Sequence, residues 1–387
     1  MSARLDIDRD IDRQIDRDSL ATAVSRALDR PAIELSDWHV DALHAAFNQS
    51  TGGLYRLRGT ACNRGDRGER VRWSLVLKIL QASDGAFGGK GDPDDANYWK
   101  RELLIYRSGV TENLPGIRAP RCFGVEERDD STAWLWMEDV RHESSSRWPL
   151  ERYRHAARRL GEFNGAYLVG RPLPDRDSIS RQWVRAMVRS FAEPFDQLPS
   201  SREHAMVRRC WPGSLLERML ELWRERELFL RALDELPQTF CHFDAWPRNL
   251  LVDSDRGEVV AVDWSYSGIG AVGAELAPMV AASVCFYDAD VSAMRSIDDA
   301  VFGGYLEGIR SAGWSGSAAL VRLGYTATAS LRYALFPMGI HLLSDELRAH
   351  FERTFGRSAR EIADRWVTLV GFLLDQADEA RRLLRSS

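Results

Sequence analysis

Between Cys241 and Asn249 the chain reads CHFDAWPRN, which sets a carboxylate at Asp244 and a carboxamide five residues later at Asn249, just behind His242. Fourteen residues beyond Asn249 the apolar run Val259-Val260-Ala261-Val262 ends in a second carboxylate, Asp263. Phosphoryl transfer to a hydroxyl asks for this set. It needs one group to orient the attacking hydroxyl and accept its proton, and hard oxygen ligands for Mg²⁺. Asp244 suits the first task; Asn249 and Asp263 suit the second. His242 is read as a brace that hydrogen-bonds the backbone, with no chemical step assigned to it.

Those residues need a partner that grips the phosphates. In Trp73-Ser-Leu-Val-Leu-Lys78-Ile-Leu80 a strand pattern carries one lysine near its end. An ammonium in such a run is costly unless it meets an anion, and nucleotide phosphates together with a helix glutamate meet that need. Glu102 is the candidate, in a stretch where Trp99, Leu103 and Tyr106 recur at helical spacing, with Lys100 and Arg101 beside it read as exposed. Upstream, Asn48-Gln49-Ser50-Thr51-Gly52-Gly53 lies between two short apolar pieces. As a strand-turn-strand it would lay backbone N–H groups and the Ser50 or Thr51 hydroxyl on phosphate oxygens, although any hairpin turn would look alike.

Taken in order, these elements resemble the aminoglycoside phosphotransferase and choline kinase superfamily, the small-molecule relatives of protein kinases, over about Trp38 to Arg332. The resemblance implies an α+β, bilobal protein-kinase-like fold, with a small N-lobe of antiparallel sheet and one key helix and a large, mainly helical C-lobe. It puts Lys78 on the phosphate-binding lysine, Glu102 on its helix partner, Asp244 on the catalytic aspartate, and Asn249 and Asp263 on the metal ligands. It implies ATP and Mg²⁺ as cofactors. In Trp134-Leu-Trp-Met137-Glu138-Asp139-Val140 it places the hinge that holds adenine, with Met137, Glu138 and Val140 as the nucleotide-binding residues. The chain departs from the family pattern where Phe243 takes the place of a frequent glycine and Trp246-Pro247-Arg248 that of a His-Pro-Gly-like ending. It departs again where Glu275, in Gly273-Ala-Glu275-Leu-Ala277, stands for the usual aspartate. None of these changes removes a catalytic group.

Length and composition agree. A chain of 387 residues suggests more than one core, and an apolar fraction of 44% with 13 Trp and 15 Phe can fill them. Net charge is −5 with no basic stripe, which argues against nucleic acid as a partner. Five scattered cysteines without a C-x-x-C pair point to reduced thiols rather than a disulfide scaffold. With no apolar signal core and no apolar run of about 18 residues, the expectation is a cytoplasmic protein, a monomer or homodimer, without membrane contact.

The expected organisation is an N-terminal extension over 1–35, an N-lobe over 36–137, and a C-lobe over 138–387 that holds the catalytic loop 241–249, the metal-binding segment 259–268 and the acceptor site. In the extension Ile7, Ile11 and Ile15 repeat every four residues. On an isolated helix Asp8, Asp12 and Asp16 would stack and repel, so a frayed, solvated tail is expected before a short helix from Ser19 to Arg30. The segment 82–95, with four glycines, reads as a mobile linker. In the C-lobe helices are expected over 148–168, with Leu150, Tyr153, Ala157, Leu160, Phe163 and Tyr167 on one face, over 181–195, over 215–233, and from Ala274 onward. Trp183, Phe286, Tyr287, Asp288, Asp290 and Tyr333 are expected near the acceptor, where acids and aromatic faces would suit a cationic amino sugar or amine.

The function so read is an ATP-dependent phosphotransferase acting on a hydroxyl of a small polar molecule: a sugar, amino sugar, amino alcohol or aminoglycoside-like compound. A nucleotide-binding pseudokinase without turnover, or an atypical protein kinase, would share some of these residues. The latter lacks support because no Ala-Pro-Glu segment follows Asp263.

Overall fold

The structure is a computed structural model that describes residues 11–43, 50–63, 70–84, 87–140, 147–175, 179–252 and 258–386. The chain divides into two compact units. One comprises Met1–Pro93, Asn97–Glu112 and Ala119–His142, the other Asp94–Ala96, Asn113–Arg118 and Glu143–Ser387.

The first unit is built on five antiparallel strands, β1 (Ile33–Ala42), β2 (Thr51–Asn63), β3 (Arg70–Gln81), β4 (Cys122–Glu127) and β5 (Thr132–Glu138), in the order β1-β2-β3-β5-β4. Alternation along β3 decides what each face does. Trp73, Leu75, Leu77 and Ile79 fall on one face and enter an apolar cluster with Tyr55, Leu57, Trp134, Trp136 and Phe123. Lys78, one residue out of phase with them, therefore points to the opposite face. Leu20 and Val24 of the helix Arg17–Leu28 cover the cluster. Asp16 caps that helix by accepting the Ser19 N–H at 2.9 Å.

Ile11 and Ile15 belong to the same cluster, only 4% and 8% exposed. From residue 11 the extension is thus docked, not frayed; Ile7 lies outside the described residues. The aspartate repulsion weighed against an isolated helix is set here against an apolar sheet face that two isoleucines can cover. At roughly 1.5–3 kcal/mol per buried side chain the covering wins. The expected linker is likewise tied down over part of its length: the Lys90 N–H donates to Asn97 O at 3.0 Å and the Trp99 N–H to Lys90 O at 3.1 Å.

The second unit is mainly helical. Its longer helices run over Leu150–Leu168, Ser214–Glu235, Met294–Ser311, Ala318–Ala329 and Ala359–Ser386. Leu150–Leu168 buries Tyr153, Ala157, Leu160, Phe163 and Tyr167 as its periodicity predicts, but Leu150 at its start is 43% exposed. This helix runs so close to Met294–Ser311 that a Cβ on Gly161 would lie 2.4 Å from Tyr305 O, and one on Gly308 2.0 Å from Arg158 O. Only glycine permits that approach, and it brings Asn164 and Tyr305 together. The Tyr305 hydroxyl donates to Asn164 Oδ1 at 2.7 Å, and Asn164 Nδ2 donates to Phe240 O at 2.8 Å. Phe240 lies in β6 (Gln238–Cys241), which pairs antiparallel with β9 (Gly268–Ala271). Between them β7 (Leu250–Val252) pairs with β8 (Val259–Ala261). These two short ladders carry the segments that hold Asp244, Asn249 and Asp263.

Candidate active site

The turn after β6 is held from below by one carboxylate. Glu275, fully buried, accepts the His242 N–H at 2.7 Å and the Phe243 N–H at 3.0 Å. Burial pushes its carboxyl up to about 7, while the two N–H groups pull it back. His242 is a brace, as its sequence context suggests. Its Nδ1 accepts the Asp244 N–H at 3.2 Å, which leaves the proton on Nε2 to donate to Val262 O at 3.0 Å. One imidazole thus ties the Asp244 turn to the strand that leads into Asp263.

Phe243 sits at φ +60, a left-handed conformation that a bulky residue adopts at a cost. The frequent glycine of the family at this position is thereby explained, and so is its replacement. The Phe243 ring occupies the space over Gly270, where a Cβ would come within 2.4 Å of Cζ. It also stacks on Trp183, 4.9 Å between centroids and 19° between planes.

Asp244 is gripped at both oxygens. Asn249 Nδ2 donates to Asp244 Oδ2 at 2.7 Å and to Asp244 O at 3.0 Å. Arg332 Nη2 donates to Asp244 Oδ1 at 2.8 Å, and its Nη1 donates to Phe243 O. Burial raises the Asp244 carboxyl above its ordinary value and the nearby Asp263 adds to that, while Arg332 opposes it. Because the carboxamide N–H₂ of Asn249 faces Asp244, its Oδ1 is the atom left for a cation. Asp263 follows directly on Val262, whose N–H donates to Asn249 O at 2.9 Å, so the two expected metal ligands are stitched together through the backbone. Asp263 itself has φ +63, a conformation aspartate tolerates better than most residues. A carboxamide oxygen and a carboxylate form a hard, oxygen-only donor set of the kind that suits Mg²⁺ held jointly with phosphates.

In the first unit Lys78 Nζ meets Glu102 Oε2 at 2.5 Å, their side chains 8% and 1% exposed. Register places Lys78 opposite Leu54 on β2 and Leu135 on β5, in the middle of the sheet. Glu102 stands in the first turn of the helix Arg101–Ser108. Arg101, expected to be exposed, is instead 1% exposed, and its guanidinium donates to Pro93 O at 3.3 Å. Ser50 and Thr51 are buried where β2 begins, and the Gln81 N–H donates to Ser50 O at 2.8 Å. Asn48 and Gln49, the rest of that expected loop, lie outside the described residues. Met137 and Glu138 end β5, with Glu138 exchanging backbone and side-chain bonds with Arg121 at 2.9 and 3.0 Å; Val140 is buried. Asp139 anchors the segment by accepting from Arg56 Nε at 3.0 Å and from Ser74 Oγ.

The expected acceptor residues divide. Asp288 is neutralised by Arg248, whose Nε and Nη2 reach it at 2.9 and 2.8 Å. Asp290 caps a short turn by accepting the Ser292 N–H at 2.9 Å. Asp288 is therefore paired with a cation already, whereas Asp290 keeps its charge on an exposed turn. Trp183 is 1% exposed and its indole donates to Ala96 O at 3.1 Å, which makes it a packing residue. Phe286 packs on Trp246, 4.7 Å between centroids. The functional groups that sequence spacing misses are Arg332 and, in its supporting role, Glu275. Each lies far along the chain from the turn it holds.

A five-stranded antiparallel sheet with a buried lysine–glutamate pair, and a helical unit whose short ladders carry an Asp–Asn–Asp set, define the protein-kinase-like phosphotransferase class. Residues 103–318 match the family model described as the phosphotransferase enzyme family (APH), more than half of the chain, and the chain belongs to that family. It is by class a phosphotransferase with an α+β fold. Among solved structures, the microcompartment-associated aminopropanol kinase is 16% identical at TM-score 0.50, with 90% of this chain and 95% of that chain covered. An amicoumacin kinase in complex with AMP-PNP and Ca²⁺ is 14% identical at TM-score 0.49, with 92% and 96% covered. An ethanolamine kinase of Plasmodium vivax is 12% identical at TM-score 0.48, with 84% and 82% covered. No protein of curated function matches the chain. No described helix is long and apolar enough to cross a membrane.

Proposed function

We propose that the protein transfers the γ-phosphate of MgATP to a hydroxyl group of a small polar molecule, with Asp244 as the catalytic base. The observation that carries this reading is the grip on Asp244. Asn249 and Arg332 each hold one of its oxygens, which fixes a carboxylate that can accept the proton of an incoming hydroxyl. Asn249 Oδ1 and Asp263 would hold Mg²⁺, which when bound neutralises charge on the phosphates. Lys78, fixed by Glu102, would grip the α- and β-phosphates, and backbone groups between Met137 and Val140 would read the adenine edge. Ser50 and Thr51 would line the phosphate loop with their backbone and hydroxyl groups. Positioning and charge neutralisation supply most of the acceleration in such a site.

The acceptor class follows less from charge than the sequence suggests, because Asp288 is already paired with Arg248. Sugars and amino alcohols therefore stand beside amino sugars and aminoglycosides as acceptors. The test is coupled ADP release from MgATP over a panel of these four classes. Turnover with one class, dependent on that compound, supports the reading and names the acceptor. A protein that binds MgATP yet releases ADP with none of them either takes an acceptor outside the panel or is the nucleotide-binding module without turnover.

A further inference from the structure

We propose that Arg332 is a positioning residue for phosphoryl transfer, clamping the Asp244 carboxylate in the one orientation from which it can take the acceptor proton. The inference rests on the phosphotransferase reading and adds to it a residue 88 positions downstream of the base.

The geometry is that of a two-sided vice. Arg332 takes Asp244 Oδ1 with Nη2 and the carbonyl of the preceding residue, Phe243, with Nη1. Asn249 takes Asp244 Oδ2 and the carbonyl of Asp244 itself. Each clamp joins a carboxylate oxygen to an adjacent backbone oxygen, so the side chain cannot rotate against its own backbone without breaking both. A guanidinium fork can span two acceptors in this way, whereas an ammonium is a single point of charge.

Arg332 is itself held in place. Its guanidinium lies 4.7 Å from the Trp183 ring centroid, 4.8 Å from that of Tyr333 and 5.6 Å from that of Tyr266. Trp183 in turn stacks on Phe243, so arginine, indole and phenyl ring form one pile whose last member is the residue before Asp244. The arginine issues from Ser330–Ala334, a π-helical turn closed by the Leu335 N–H on Ser330 O at 3.3 Å. Such turns cost regular helix geometry and gather at functional sites. Burying a guanidinium for stability alone is a poor bargain, since apolar side chains of the same volume fill a core at lower cost.

The test is ADP release from MgATP, with water as the background acceptor, for wild type, Arg332→Met, Arg332→Lys, Asp244→Asn and the double variant Asp244→Asn/Arg332→Met. Arg332→Met should lower kcat by about a hundredfold while leaving KM for MgATP within about twofold. Arg332→Lys should recover only part of the loss. In the Asp244→Asn background the Arg332→Met change should cost nothing further in kcat, because the carboxylate it positions is gone. A purely structural arginine would lower kcat equally in both backgrounds, and that result overturns the inference. So does an Arg332→Met enzyme as fast as wild type while Asp244→Asn is slow. Equal rates for wild type and Asp244→Asn would instead sink the phosphotransferase reading beneath it. A crystal structure of Arg332→Met reads the same claim without turnover: a rotated Asp244 carboxylate is expected, and one left in place overturns the proposal.

Discussion

Glu275 and Phe243 are 32 residues apart in sequence, yet Glu275 Oε1 accepts the Phe243 N–H at 3.0 Å while Oε2 takes that of His242 at 2.7 Å. One buried carboxylate thus fixes the backbone that presents Asp244. Because burial raises its folded pKa from an ordinary 4.5 to about 7, the folded protein binds more protons than the unfolded chain between those values. The contribution of Glu275 to stability is therefore fullest below about pH 4.5 and is lost as pH rises through about 7. Urea unfolding near pH 5 and pH 8 should show the wild type losing roughly 2–3 kcal/mol more than Glu275→Gln over that interval. Parallel pH slopes for the two proteins would contradict this account of the turn.

Lys78 and Glu102 form a pair buried at both ends. Removing the lysine alone strands a buried carboxylate, at a cost of about 3–5 kcal/mol, whereas removing both charges relieves that cost. Lys78→Ala should therefore melt at a lower temperature than Lys78→Ala/Glu102→Ala, while both bind MgATP more weakly than wild type. Calorimetric melting with nucleotide titration tests the order. A double variant less stable than the single one would show that the other contacts of these two side chains outweigh the charge left unpaired.

Phe243 sets strain against burial. Its left-handed backbone costs about 1–2 kcal/mol, which glycine would relieve, but its side chain is 1% exposed and its loss should cost about 3–5 kcal/mol. Burial wins. Phe243→Gly should be less stable than wild type by roughly 2 kcal/mol in urea, even though glycine is the frequent residue of the family at that position. A more stable variant would mean the stack on Trp183 contributes little.

If Asn249 Oδ1 and Asp263 hold the metal, either alanine variant should raise the Mg²⁺ concentration for half-maximal ADP release by at least about tenfold. Chelating the divalent ion should abolish turnover in the wild type. Unchanged Mg²⁺ dependence in Asp263→Ala would remove that residue from the metal site. Asn249→Ala carries a second cost, since it also releases Asp244 Oδ2.

The residues legible in the sequence are those whose relation is local or whose placement is anomalous. Asp244 and Asn249 lie on one turn, and Asp263 ends the next apolar run. Lys78 betrays itself as a charge inside a strand pattern. Its sheet neighbours were not needed to see it. Glu275 could be noticed only as a variant residue, because its partners lie 33 and 32 residues upstream and meet it through the packing of β6. Arg332 gave no local signal at all; its meaning comes from a helix that arrives beside Asp244 in three dimensions. The docking of Ile11 and Ile15 has no local signal either, since the apolar face that covers them is made by strands far along the chain. The burial of Arg101 is equally silent in the sequence, because nothing near it shows that Pro93 O awaits its guanidinium. Local chemistry was readable; tertiary partners were not.

The central claim is that Asp244 takes the proton of the acceptor hydroxyl. It is tested most directly by kcat for Asp244→Asn, a variant of the same shape, at saturating MgATP and acceptor, with the MgATP Kd measured alongside by calorimetry. A fall in kcat of about a hundredfold or more is expected, with the Kd unchanged. A variant that turns over at nearly the wild-type rate while binding MgATP equally well would contradict it.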